Sequence, residues 1–318
     1  MKMIIGGKKV DSSDGKVIEV FNPSTHEIID TVPSATREDI EKALEIAQNG
    51  KDIWANTPLH KRSEILLKYA DLVDKHRKEL MDISSKEVGK PVIQSGYEID
   101  SLVGLFRGYV EKAKHFYGVS MPLGVRPGVE NDVHFTIREP LGVIVCIVPF
   151  NFPIVLYAYK AAPALISGNA IIVKPSSDTP MAAIRLIELL LEAGVPESVA
   201  QVVTGKGSIV GKWLVSNPKI NAVSLTGSTK AGIEIAKEAA QNLHRVFLEL
   251  GGVMTKDINK AMKVATRIQY GGVVINGSGR YRTLDMAYGG YKMSGLGREG
   301  YKNIDIYSPS EVIENDEE

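Results

Sequence analysis

Short apolar runs alternate with longer amphipathic stretches through the middle of the chain, and this alternation constrains the fold more than any other feature. The runs at 142–148, 170–173 and 199–203 have the length and β-branched composition of buried strands, whereas 154–166 and 181–193 have the apolar spacing of helices. Helices that connect consecutive buried strands produce a parallel sheet. The sequence therefore predicts an α/β protein with a Rossmann-like parallel sheet and helices on both faces.

Residues 221–236, NAVSLTGSTKAGIEIA, predict a further buried strand, a tight turn and a helix that begins near Lys230. A strand that turns through glycine into a helix leaves backbone N–H groups directed at the turn, and this end of a helix attracts anions. Gly227 permits close approach of a ligand, and Ser228 or Thr229 can cap the helix or donate a hydroxyl. Taken alone, the stretch fits an ordinary capped helix equally well.

Polar residues and glycines follow the ends of these strands, including a last strand at 245–250. The carboxyl ends of parallel strands lie at one edge of a sheet, and ligands of α/β proteins bind there. Several such signals at a single edge favour a ligand site over coincidence. The residues are Asn151, Lys174, residues 205–207, residues 226–228 and Glu249.

The part of the chain before this core contains antiparallel strands and then helices. Residues 4–32 alternate apolar and polar side chains around two turns, which predicts two or three antiparallel strands. Thr36, followed three residues later by Asp39, marks the start of the first of four predicted helices.

Residues 118–141 are rich in proline and glycine and contain two short alternating segments, which predict a protruding hairpin. An unpaired strand edge recruits partners, so this hairpin is a candidate contact in a homo-oligomer. An ordinary surface hairpin is equally compatible with the pattern.

Composition excludes several classes of function. The charged residues, 24% of the chain, balance to a net charge of zero, so no basic excess points to nucleic acid or an anionic membrane. The longest apolar runs are too short for a membrane span, and the N-terminal run is too short for a signal peptide. A single cysteine excludes an intrachain disulfide and favours a reducing, cytoplasmic location. Isolated histidines give no indication of a metal site.

Ordered motifs give the chain a resemblance to the aldehyde dehydrogenase superfamily. They are PFNFP at 149–153, VKPS at 173–176, LTGS at 225–228, LELGG at 248–252 and a glycine-rich GG-x-K-x-SG-x-GRE segment at 289–299, with EVGKP at 87–91 in support. The resemblance implies that NAD or NADP is the cofactor. It also implies that a cysteine nucleophile attacks the aldehyde, that hydride passes to the nicotinamide, and that water then releases the carboxylic acid.

The resemblance also implies roles for residues at matching positions. Asn151 resembles the family's side-chain donor to the oxyanion, and Glu249 resembles the general base that activates water. Lys174 resembles the residue that bonds the adenosine ribose, and Ser177 stands where NAD-preferring members commonly have glutamate, so that NADP is tolerated or preferred. The other implied cofactor contacts are Ile147, Pro149, Phe150, Ser176, Gly207, Gly211, Thr226, Gly227, Ser228 and Leu250.

One departure from the family pattern is large. Gly252 runs directly into a segment that resembles the family's C-terminal part, so that most of the catalytic domain, with its nucleophilic cysteine, is missing. Cys146 lies within an apolar run, where we expect a buried, inert thiol. Residues 253–300 are interpreted as a remnant of the catalytic domain, with a helix at 256–269 and a strand at 272–276. Residues 301–318 end in an acidic tail, which we expect to be disordered over 308–318.

The sequence thus divides into N-terminal strands and helices of a cofactor-binding domain (1–117), the hairpin (118–141), the dinucleotide-binding core (142–252), the remnant and the tail. It predicts a protein of this family that binds NAD(P) without oxidising aldehydes. Two alternatives remain open: an active aldehyde dehydrogenase, and a structural or self-associating module with a vestigial nucleotide site.

Overall fold

The computed structural model describes residues 1–128, 130–250, 295–296 and 310–314. Its centre is an eight-stranded sheet, accompanied by two smaller two-stranded sheets. The strands are β1 Met3–Ile5, β2 Lys8–Val10, β3 Val17–Phe21, β4 Ile28–Pro33, β5 His134–Arg138, β6 Val143–Ile147, β7 Ala170–Lys174, β8 Ala200–Val202, β9 Ala222–Gly227, β10 Arg245–Leu250, β11 Gly295–Leu296 and β12 Ser310–Glu314.

The large sheet has the order β11-β10-β9-β6-β7-β8-β1-β2. Its five central strands, β10 to β8, are parallel, whereas β11 at one side and β1 with β2 at the other are antiparallel. The chain proceeds outward from β6 through β7 to β8 and then returns to place β9 on the other side of β6. This reversal creates a switch point between β6 and β9, where the connections leave toward opposite faces and open a crevice. The predicted fold class is confirmed.

The apolar runs form strands because the sheet is covered on both faces. Alternate residues of β6 enter two separate cores: Ile144 and Cys146 pack on one face, and Val143, Val145 and Ile147 on the other. A strand buried on both faces needs a continuous apolar sequence rather than an alternating one.

Two helix ends carry the local signals that the sequence predicted. Thr36 Oγ1 accepts the Asp39 N–H while the Asp39 carboxylate accepts the Thr36 N–H, a capping box. Gly194 ends another helix in the left-handed conformation, with φ 113°. The helices are α1 Arg37–Ala55, α2 Leu59–Lys75, α3 Arg77–Val88, α4 Val92–Ala113, α5 Pro153–Ile166, α6 Met181–Ala193, α7 Lys212–Val215 and α8 Thr229–Ala240, and a π-helical turn, Gly207–Gly211, precedes α7.

The end of the chain differs from the sequence prediction. Ser310–Glu314 forms β12 and pairs antiparallel with β5, so the expectation of a disordered tail over 308–318 is wrong for these residues. The exposed edge of β5 supplies the backbone hydrogen-bonding partners that an acidic sequence alone does not reveal. Within the hairpin segment, Met121 N donates to His134 O and Thr136 N to Val119 O, each at 2.9 Å. The helix and strand predicted between 253 and 300 lie outside the described residues.

Within the part of the chain that the structure describes, the helices are too short or too polar to cross a membrane.

Candidate functional site

Strand register brings the predicted site residues to one edge of the sheet. Ile147 at the end of β6 is paired with Lys174 of β7 on one side and with Leu225 of β9 on the other. Farther along the same edge, Glu249 and Leu250 of β10 are paired with Thr226 and Gly227 of β9. Parallel pairing therefore collects residues from four strands along one line, as the sequence predicted.

The turn between β9 and α8 forms the helix N-terminus that the sequence predicted. Ser228 is the N-cap, and its Oγ accepts the Ala231 N–H at 3.2 Å. Helix α8 packs closely on β10 at Gly232, where a Cβ would overlap the Leu250 side chain unless that side chain moved. The N–H groups of the first helical turn give this end of the crevice a partial positive charge.

A buried lysine lies beneath this turn, and sequence reasoning missed it. Lys160 is fully buried in α5, and its Nζ donates to Thr226 Oγ1 at 2.8 Å and to Ser224 Oγ at 3.2 Å. These two hydroxyl groups lie two residues apart on the same face of β9. The hydrogen bonds to Lys160 therefore hold the strand end that leads into the turn. The available signal was a single cation within the otherwise apolar helix PIVLYAYKAAPALI, since lysine is rarely buried without partners.

Lys174 occupies the corresponding position on β7. Its side chain is 3% exposed, and its Nζ donates to Pro175 O at 2.9 Å. Burial lowers the pKa of Lys174 to about 8, against a smaller opposing effect of Asp178. The folded protein therefore holds a cation here at a cost in solvation, as expected of a group that recognises an anion or a polyol.

The serines after Lys174 make local contacts. Ser177 Oγ donates to Gly205 O at 3.0 Å and thereby joins the loop after β7 to the loop after β8. Ser176 Oγ accepts the Asp178 N–H at 3.3 Å, and the Asp178 side chain is exposed. The loop presents a neutral hydroxyl at 177, whereas a carboxylate occupies the neighbouring position 178.

Three glycines of the site have no structural reason to be glycine. A Cβ on Gly207 would lie 3.7 Å from Lys174 Nζ, one on Gly227 would lie 3.5 Å from the Leu225 side chain, and one on Gly211 would meet nothing within 4 Å. Gly205 differs, because it adopts φ +148° and a Cβ there would overlap Val210. Since packing and conformation do not demand these three glycines, the edge has room for close approach of an extended ligand, and a dinucleotide fits the residues present.

The PFNFP segment lies beyond the end of β6. Phe150 is 58% exposed, and Asn151 is exposed as well. The Asn151 carbonyl oxygen accepts from Lys90 Nζ at 3.4 Å, while its side-chain amide makes no hydrogen bond within the described residues. The structure therefore places Asn151 beside the edge but does not join its side chain to Glu249.

The remaining candidates for chemistry are buried. Glu249 lies in β10 with little exposed surface, and Cys146 is fully buried within β6. No cluster of three or more potential metal-ligating side chains occurs in the described part of the chain.

The fold and the strand-end residues define a doubly wound α/β protein with a switch point between β6 and β9, the place where proteins of this architecture bind ligands. The model of the aldehyde dehydrogenase family matches residues 9–253 and 252–311. D-glyceraldehyde dehydrogenase (NADP(+)) of Picrophilus torridus is 36% identical over 277 residues, which cover 85% of this chain and 55% of that protein. This chain belongs to the aldehyde dehydrogenase family.

Solved structures agree with this assignment. Betaine aldehyde dehydrogenase from Staphylococcus aureus, in complex with NAD+, is 30% identical with a TM-score of 0.75 over 79% of this chain and 50% of that chain. An E. coli NADP-dependent enzyme is 32% identical with a TM-score of 0.77 over 83% of this chain and 55% of that chain. The chain spans about half the length of these relatives.

Proposed function

We propose that this chain binds NADP or NAD along the carboxyl edge of its parallel sheet and does not itself oxidise aldehydes. The observation that carries the proposal is the set of three glycines, 207, 211 and 227, that packing does not require, together with the buried Lys174. Relatives named for dependence on NADP or bound to NAD+ support the choice of ligand.

In this proposal each strand end contacts one part of the cofactor. Lys174, Ser176 and Ser177 bind the adenosine ribose, Gly207 and Gly211 lie against the adenine side, and Gly227 and Ser228 bind the pyrophosphate at the N-terminus of α8. The other contacts are Ile147, Pro149, Phe150, Thr226 and Leu250. When bound, the nicotinamide supplies the capacity to accept a hydride.

Loss of aldehyde oxidation follows from the missing nucleophile. The family model matches two segments that meet at residues 252–253, which supports an internal omission of the intervening catalytic part. Cys146 is the single cysteine in the sequence, and its thiol is buried within the sheet. Asn151 and Glu249 then occupy the positions of the family's oxyanion donor and general base without a covalent intermediate on which to act.

Titration of the purified chain with NADPH and NADH, followed by nucleotide fluorescence, tests binding. An aldehyde turnover assay on the same sample tests activity. We expect binding without turnover. Turnover that disappears in Cys146→Ser would establish the active alternative and refute the assignment of a buried, inert thiol. Absence of binding to either nucleotide would refute the proposed function.

Ser177 predicts the preference between the two nucleotides. Replacing Ser177 by glutamate is expected to weaken NADPH binding roughly tenfold or more, because a carboxylate near the 2′-phosphate repels it, and to leave NADH binding within about twofold. The control is Ser177→Gln, which has a similar size without the charge. Equal losses for both nucleotides in the glutamate variant would show that position 177 does not face the 2′ position.

A second proposed function, self-association through residues 118–141, rests on a row of exposed apolar side chains. Tyr117, Val119, Met121, Leu123 and Val125 are each at least 41% exposed, and such a concentration is typical of a protein interface. Light scattering is expected to give an oligomer for the unmodified chain and a monomer for a Val119→Lys, Val125→Lys variant. An unchanged mass would remove this proposal. For location we propose the cytoplasm, because a chain with a single cysteine forms no intrachain disulfide and suits a reducing compartment.

A further inference from the structure

Two buried glutamates cap the helices that flank the site, and each lies far in sequence from the helix that it caps. Glu98 of α4 accepts the N–H groups of Ile154 and Val155 at the start of α5, both at 3.0 Å. Glu87 of α3 accepts the N–H groups of Met181 and Ala182 at the start of α6, at 2.7 and 3.0 Å. Neither helix has a side-chain cap from its own N-cap residue. The two carboxylates therefore satisfy N–H groups that local sequence leaves free.

Lys90 connects this capping system to the PFNFP loop. Gly89 ends α3 in the left-handed conformation, and Pro91 precedes α4, so that Lys90 projects from a short connection. Its side chain is 8% exposed and forms an ion pair with Glu98, whose side chain is 3% exposed. The same Nζ donates to Asn151 O at 3.4 Å and lies 5.0 Å from the centre of the Phe152 ring.

The neighbouring loop also contacts this segment. Residues 149–152 lie between β6 and α5 in no regular secondary structure. Thr179 Oγ1 donates to Phe150 O at 3.4 Å from the neighbouring loop. Contacts to two successive carbonyl oxygens thus hold the loop, one from Thr179 and one from Lys90. Of these, the Lys90 contact is the charged one, and charge-assisted hydrogen bonds are the stronger class.

We propose that Lys90 and Glu98 form a clamp, a buried ion pair that fixes residues 149–152 and thereby positions Pro149 and Phe150 toward the cofactor crevice. The clamp gives Lys90 a positioning role, and its effect on the ligand rests on the proposed nucleotide binding. A purely structural alternative is that the pair only neutralises charge beneath α5. The two ideas differ in what happens to the loop when Lys90 alone is changed.

Chymotrypsin cleavage at Phe150 measures loop mobility directly, because this exposed side chain precedes Asn151 in the loop. Replacing Lys90 by methionine is expected to accelerate this cleavage about tenfold, since the loop then opens more often. The matched control is Lys86→Met, which removes an exposed lysine from α3. A second control, Val73→Ala, lowers general stability by opening a cavity in the core far from the loop. Equal cleavage rates in all four proteins would overturn the clamp.

Two further variants keep the test decisive if Lys90→Met does not fold. Phe152→Leu removes the ring beneath the ammonium group without leaving a buried charge, and should accelerate cleavage about threefold. Lys90→Arg preserves the positive charge and should retain most of the resistance. Two results together would contradict the proposal. They are an unchanged cleavage rate in Phe152→Leu and a cleavage rate in Lys90→Arg as fast as that of an unfolded chain.

NADPH titration of the same variants separates the clamp from the proposed function. We expect Lys90→Met to bind NADPH about tenfold more weakly than Val73→Ala, although both are destabilised. If the unmodified chain binds and Lys90→Met binds equally well, the positioning role is wrong even when cleavage accelerates. If the unmodified chain does not bind, the proposed function fails, and the cleavage rates still decide whether the clamp exists.

Discussion

Replacing Lys174 by methionine is expected to stabilise the free protein and to abolish its binding of NADPH. Burial lowers the pKa of Lys174 from 10.5 to about 8, so the folded protein releases this proton more readily than the unfolded chain. Between these two pKa values the unfolded state binds more protons, and stability therefore rises with pH. Below pH 8 the buried cation lowers the free energy of unfolding by its full amount, which is at most about 3 kcal/mol. Methionine fills a similar volume without that cost.

Urea unfolding of both proteins at pH 7 and at pH 10 measures this effect. The unmodified protein should gain stability relative to Lys174→Met as the pH rises, and the difference between them should be largest at pH 7. Lys86→Met, which removes an exposed lysine, is the control for loss of one positive charge. A Lys174→Met protein that is less stable at pH 7 would show that the buried amine makes a net favourable contribution.

The pKa of Lys174 also gives nucleotide binding a pH dependence. A phosphate or ribose ligand gains more from the ammonium form than from the neutral amine, so NADPH affinity should fall as the pH rises through about 8. The same titration on Lys174→Met is expected to give no affinity at any pH. A pH-independent affinity in the unmodified chain would place Lys174 outside the ligand contact.

Two glycine-to-alanine changes within helices are expected to have opposite effects on stability. A Cβ on Gly50 of α1 would overlap the carbonyl oxygen of Ser198, a backbone atom that cannot rotate away. Gly50→Ala should therefore destabilise the protein by about 3 kcal/mol, since the helix must move away from the segment before β8. A Cβ on Gly104 of α4 would meet nothing within 4 Å. Gly104→Ala should stabilise the protein by about 0.5–1 kcal/mol through helix propensity.

Denaturant unfolding at neutral pH compares the two variants with the unmodified chain. Since both changes add one methyl group to a helix, the difference between them isolates tertiary contact from propensity. A Gly50→Ala variant that is at least as stable as the unmodified chain would refute the close approach of α1 to the segment before β8.

Sequence reasoning succeeded for the elements whose signals are local. The capping box of Thr36 and Asp39 and the glycine at 194 define helix ends by hydrogen bonds within a few residues, and the structure confirms both. The order of apolar runs predicted the parallel sheet, and the strand ends predicted which residues share an edge, because parallel register follows from the fold class. The roles assigned to Asn151 and Glu249 remain predictions that rest on the family resemblance.

Sequence by itself determined the class of this protein: apolar periodicity specifies which segments are buried, and a parallel sheet then has one edge for a ligand. Tertiary structure alone decided the polar contacts made by buried groups. Lys160 beneath Thr226, the pair of Lys90 with Glu98, and the pairing of Ser310–Glu314 with β5 each join residues distant in sequence. No local pattern encodes such partners, because a buried charge or an open strand edge is satisfied by whichever group the completed fold brings within reach.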